Sequence, residues 1–99
     1  MLIKRLKDCQ EIIALDDSIV RELLNPLYDQ IDLKLDYSLA HATVKQGTAT
    51  APHRFKTASE VYYILKGRGI MHIDELSADV KLGDTIYIPP MAIQYIENT

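Results

Sequence analysis

From residue 35 onward, apolar positions come in short runs, each closed by glycine, proline or an Asp/Ser turn. The runs are LDYSLAHATVK (35–45), EVYYILK (60–66), GIMHID (69–74), DVKL (79–82), DTIYIPP (84–90) and AIQYIEN (92–98). They are rich in β-branched and aromatic residues, and many short strands at close spacing predict an all-β sandwich or barrel. Within 60–65, Glu60, Tyr62 and Ile64 share one face of the strand, whereas Val61, Tyr63 and Leu65 share the other. Both faces are largely apolar, so the outer one is expected to pack on another layer or another subunit. Further along, Ile86 and Ile88 face one way while Thr85 and Tyr87 face the other. The N-terminal third reads differently. EIIAL (11–15) suits a strand, and DDSIVRELLNP places Ile19, Val20, Leu23 and Leu24 at helical spacing. The expectation is a short helix, capped by Asp17 or Ser18 and stopped by Asn25-Pro26.

The chain has 99 residues, of which 47% are hydrophobic and 25% charged, and this describes one domain. We divide it into a strand/helix segment at 1–30 and a barrel core at 35–99. A chain this small buries a modest fraction of its surface, which favours pairing with a second copy. The formal charge is −3 and no basic stripe interleaves with aromatics, so nucleic acid is not an expected partner. No apolar stretch approaches a bilayer span and none behind the N-terminal cations forms a signal core. The expectation is a cytoplasmic protein without a membrane partner. Cys9 is the single cysteine, which excludes an intrachain disulfide and a thiolate cluster. No motif surrounds it, and it reads as an inert thiol.

The spacing of glycine, histidine, carboxylate and proline changes the picture. Five residues separate Gly47 from His53, four separate Phe55 from Glu60, and six separate Glu60 from Gly67. Five residues then separate Gly83 from Pro89, one separates Pro89 from Met91, two separate Met91 from Gln94, and three separate Gln94 from Asn98. This double pattern resembles the two motifs of the cupin superfamily, and the run from Ser38 to Asp74 is similar to small single-domain cupins labelled phosphomannose-isomerase-like. Gly47, His53, Glu60, Gly67, Gly83, Pro89 and Asn98 agree with the motifs. Phe55 and Gln94 stand where the motifs carry histidines, and Met91 where they carry glycine. The resemblance implies a cupin double-stranded β-helix, a jelly-roll barrel, with the short N-terminal helix beside it. The second motif finishes at Asn98, so the last strands of the barrel are expected to be missing or supplied by strand exchange with a second copy.

For function, the resemblance implies a site inside the barrel made by His53, Glu60 and Gln94. A 2-His-1-carboxylate face would hold a transition metal firmly. One imidazole, one carboxylate and one amide form a degenerate version, expected to hold a divalent ion (Mn, Zn, Ni or Fe) weakly. His41, Phe55, Tyr62, Ile64, Ile86 and Ile88 are the expected pocket residues. A Glu–His hydrogen bond also satisfies both groups without metal. Gly67 and Gly69 read as turn residues, and His72 as a solvated or interface histidine. The sequence therefore favours a homodimeric cupin that binds a small molecule. A metal-dependent isomerase or dioxygenase acting on a sugar-like or organic substrate is the alternative.

Overall fold

The structure is a computed structural model and describes every residue from Met1 to Thr99. Eight strands form: β1 (Glu11–Ile13), β2 (Ile19–Leu24), β3 (Leu39–Thr43), β4 (Glu60–Tyr63), β5 (Arg68–Ile73), β6 (Leu76–Lys81), β7 (Thr85–Ile88) and β8 (Gln94–Glu97). All pairings are antiparallel. Contacts group the chain into two compact units, residues 1–14 with 18–43 and residues 15–17 with 44–99.

In the first unit the sheet order is β1-β2-β3. Here the sequence expectation of a helix over Ile19–Leu24 is corrected, because this segment is a central strand. Its apolar positions fit a helical stripe, but Ile19 and Val20 are β-branched and pair on both sides, Ile19 with Ile13 and Thr43, and Val20 with Ile12 and Ala42. Asp17 makes a turn with φ 72° instead of a helix cap, and Ala14 N–H donates to the Ser18 carbonyl at 2.9 Å. Asn25 does end the segment. Its side-chain oxygen accepts from Leu27 N–H at 3.0 Å, an Asx turn that needs no helix before it. The only helical element is a 3₁₀ turn at Leu6–Asp8. Arg21 steadies it from β2, donating to the carbonyls of Leu6 at 3.2 Å and Cys9 at 2.9 Å.

The second unit contains a two-stranded β4-β7 sheet and a three-stranded sheet of order β6-β5-β8. Met71, Val80, Ile86, Ile88 and Ala92 form its buried core, with Tyr62, Ile64, Ile73 and Ile96 packed against them. Gly69 is not in a turn, as the sequence suggested, but inside β5. A Cβ there would stand 2.1 Å from the Glu97 carbonyl oxygen, so the residue is fixed by the close approach of β8.

Three glycines of the spacing pattern, Gly47, Gly67 and Gly83, have positive φ. Met91, in the fourth such position, has φ 71° as well. Its backbone is held there by a 2.7 Å hydrogen bond from its N–H to the Phe55 carbonyl. The left-handed region costs a side-chain-bearing residue about 1–2 kcal/mol, and glycine's greater freedom in the unfolded chain returns about 0.4–1 kcal/mol of that difference. Met91→Gly is therefore expected to stabilise the protein by about 0.5–1 kcal/mol. Urea unfolding of the two proteins side by side measures it.

Candidate functional site

The site is organised by an isolated antiparallel bridge. His53 N–H donates to the Gln94 carbonyl at 3.1 Å and Gln94 N–H donates to the His53 carbonyl at 2.9 Å. This ties the loop before β4 to the first residue of β8. Register does the rest: Glu60 lies opposite Ile88 and Tyr62 opposite Ile86 across the β4-β7 pair. Directly paired residues share a sheet face, so Glu60, Tyr62, Ile86 and Ile88 all look the same way. Asn98 anchors the segment before Gly47, donating from its side chain to the Val44 carbonyl at 2.7 Å while its N–H donates to the Thr48 carbonyl at 2.9 Å.

Three side chains form one hydrogen-bonded chain. The Tyr62 hydroxyl donates to Gln94 Oε1 at 3.1 Å, and Gln94 Nε2 donates to Glu60 Oε1 at 2.5 Å. A carboxylate can only accept, so the amide must turn its nitrogen to Glu60 and its oxygen to Tyr62. Gln94 is 1% exposed and both ends of its amide are satisfied. His53 completes the group, with Nε2 3.8 Å from Glu60 Oε1. Its Nδ1 lies 3.1 Å from the Ala51 carbonyl, which fixes the proton on Nδ1 and leaves the lone pair of the neutral ring on Nε2. Phe55 packs edge-on against the His53 ring at 5.6 Å and remains 44% exposed. Burial pushes the Tyr62 phenol well above its ordinary range, and the Glu60 and Asp16 carboxylates push the same way.

The donor set can now be set against a metal. His53 Nε2 and Glu60 Oε1 are usable ligand atoms, whereas the Gln94 nitrogen has no lone pair to give and its oxygen is a neutral donor that already accepts from Tyr62. No three His, Cys, Asp or Glu side chains come together anywhere in the chain. The residues present do not fit a firmly held transition metal.

Of the expected site residues, the structure gathers His53, Glu60 and Gln94, with Tyr62, Ile86 and Ile88 on the same sheet face and Phe55 against His53. Ile64 packs against the core. His41 lies on β3 in the other unit, half-buried and paired opposite Arg21. Arg54 is exposed and makes no ion pair with the group. Two concavities, about 480 and 380 Å³, lie among Ile3–Glu22 and around Leu2 and Tyr28–Ile31, and none of the four residues of this group lines them. One arrangement escaped sequence reasoning. His72 stacks on Tyr95 at 4.1 Å and its Nε2 meets Glu97 Oε2 at 2.7 Å. Only the β5-β8 register brings these residues together, so no local signal could have found it.

Comparisons with known proteins bear on the same segments. Residues 40–99 match the Cupin_2 family, described as a cupin domain. An uncharacterized protein of Methanocaldococcus jannaschii is 49% identical over 86 residues, covering 87% of this chain and 66% of that protein, just under two thirds of its length. A solved structure from Photorhabdus luminescens superposes with a TM-score of 0.82 at 19% identity, over 99% of this chain and 77% of that one. A predicted oxalate decarboxylase from Thermotoga maritima superposes with a TM-score of 0.78 at 22% identity, over 99% of this chain and 88% of that one. These structural likenesses show the cupin-barrel fold.

The buried phenol predicts a pH effect. Because its folded pKa is raised, Tyr62 contributes stability that is full below the ordinary phenol value of 10.0 and is lost as pH rises beyond it. In that window the wild type should lose about 1.4 kcal/mol per pH unit more than Tyr62→Phe. At neutral pH the same substitution should cost about 1–2 kcal/mol by leaving Gln94 Oε1 unpaired. Denaturant titrations of both proteins at neutral and alkaline pH measure both effects.

Proposed function

This chain belongs to the cupin-domain family, and from that premise we propose that it binds a small molecule at the group formed by His53, Glu60, Tyr62 and Gln94. The observation that carries the reading is the acceptor character of that group. Glu60 offers carboxylate lone pairs, and the His53 ring in its neutral form offers Nε2. No Lys or Arg is hydrogen-bonded or ion-paired to any of the four residues. A matching ligand brings donors, so hydroxyls or an amine suit it and an additional carboxylate or phosphate does not. Phe55, 44% exposed on the flank of the His53 ring, would meet the carbon skeleton. A small polyol, sugar or amino alcohol fits these requirements.

In this reading the protein orients its ligand and performs no assigned reaction. Gln94 acts as a strut, holding Glu60 in place from a position that Tyr62 and the His53 bridge determine. The metal-dependent alternative, an isomerase or dioxygenase type of enzyme, is favoured by one feature: His53 Nε2 and Glu60 Oε1 lie 3.8 Å apart, near enough to share an ion after a small adjustment. Such an ion would be Mn, Zn, Ni or Fe, weakly held. It would draw on His53 and Glu60 from the protein and supply Lewis acidity there.

Calorimetric titration with polyols, sugars and amino alcohols, against dicarboxylates of similar size, tests the reading. Binding of a donor-rich compound that falls at least about tenfold in Glu60→Ala is expected. Binding confined to dicarboxylates, or binding indifferent to Glu60, contradicts it. Gln94→His supplies a second imidazole beside Glu60 and is expected to raise Zn(II) affinity at least about tenfold over the wild type. An unchanged Zn(II) affinity in that variant would show that the three side chains do not converge on one point.

A further inference from the structure

The first unit holds a concavity of about 480 Å³ where its N-terminal segment meets the β1-β2 pair, and every residue lining it belongs to that unit. Its size falls among small-molecule sites, roughly 300–1,000 Å³. Ile12 pairs with Val20, and Glu22 lies two residues beyond Val20 on β2, so strand alternation sets Ile12 and Glu22 on one sheet face. Both line the concavity. Directly after Glu22 the β2-β3 register shifts, an irregularity of the kind that re-aims neighbouring side chains. The wall formed by the N-terminal segment is fastened in place: Arg21 donates to the Leu6 and Cys9 carbonyls and to the Glu11 carboxylate, and Lys4 is ion-paired with Asp29.

Glu22 Oε2 is the one buried side-chain oxygen or nitrogen of the chain without a hydrogen-bond partner. A carboxylate oxygen removed from water needs a donor, and the chain supplies none. Two basic side chains line the same concavity. Lys4 is committed to Asp29, whereas the Arg5 guanidinium is ion-paired to no residue of the chain. Ile3 and Ile12 add apolar surface, 62% and 42% exposed. We propose that this concavity binds a free α-amino acid with an apolar side chain, its ammonium group donating to Glu22, its carboxylate meeting Arg5 and its side chain lying on Ile3 and Ile12. A simple anion would leave Glu22 unpaired and would face the Asp8 carboxylate in the same lining. A simple amine would bring a like charge to Arg5. A ligand that carries both charges avoids each penalty, and a carboxylate matches the planar fork of a guanidinium.

Calorimetric titration of the 99-residue chain tests this with leucine, with isoamylamine, which lacks the carboxylate, and with N-acetylleucine, which lacks the ammonium group. Wild type, Glu22→Gln and Arg5→Ala are compared. The wild type should bind leucine at least about tenfold tighter than either analogue. Glu22→Gln should weaken leucine and isoamylamine alike, at least about tenfold, whereas Arg5→Ala should weaken leucine as much and leave isoamylamine no weaker. A merely structural role for Arg5 would move both ligands together. Should Glu22→Gln impair folding, Arg5→Ala, at an exposed position, carries the test. Failure of the wild type to bind leucine at millimolar concentration overturns the proposal. So does N-acetylleucine bound as tightly as leucine, which would assign the concavity to an anion, and so does leucine binding indifferent to both variants, which would place it elsewhere on the chain.

Discussion

The candidate site depends on the reciprocal pair of backbone hydrogen bonds between His53 and Gln94. A loop residue and a strand residue far apart in sequence are locked face to face, and everything chemical in this region follows from that lock. It puts the Gln94 side chain under the β4-β7 sheet, where Tyr62 and Glu60 meet its two ends. It sets the His53 ring beside Glu60. The neighbouring turn is fastened by the same logic, since Met91 N–H reaches the Phe55 carbonyl across the same two segments. Met91 accepts a left-handed backbone because that hydrogen bond and the turn require it there, not because its side chain suits the conformation.

A buried amide is a demanding group to place. Left unpaired, each end costs about 1–3 kcal/mol, whereas Gln94 is paired at both ends. Its pairing is also directional: the carboxylate of Glu60 decides which end is nitrogen, and that choice turns an atom without a lone pair toward Glu60 and the neutral oxygen toward Tyr62. The residues that stand in place of histidines therefore have distinct consequences. Phe55 removes an imidazole and lays a ring against the one that remains, while Gln94 converts a ligand position into an internal strut. What is left partly exposed is a carboxylate and an imidazole, 30% and 26% accessible.

Much of the fold was legible in the sequence because glycines and prolines mark its turns. Gly47, Gly67 and Gly83 have the positive φ that makes their spacing informative, and the alternation over 60–65 reproduces the observed faces residue by residue. The segment Ile19–Leu24 was not legible, because a central strand with both neighbours paired carries apolar residues without strict alternation and mimics a helical stripe. Gly69 misled in the opposite way: its reason is the Glu97 carbonyl, a partner distant in sequence. Of the site, the gathering of His53, Glu60 and Gln94 was implied by the resemblance of their spacing to the cupin motifs. The orientation of the Gln94 amide could not, since it is decided by which side chains meet it. The His72–Tyr95–Glu97 group was hidden for the same reason.

The most direct test of this account is the metal content of the untagged chain, purified without chelator and dialysed against metal-free buffer. With one imidazole and one carboxylate as the strong donors of the group, the account predicts metal far below one ion per chain. A near-stoichiometric ion surviving dialysis would contradict it, because one imidazole and one carboxylate would then suffice to hold a metal firmly.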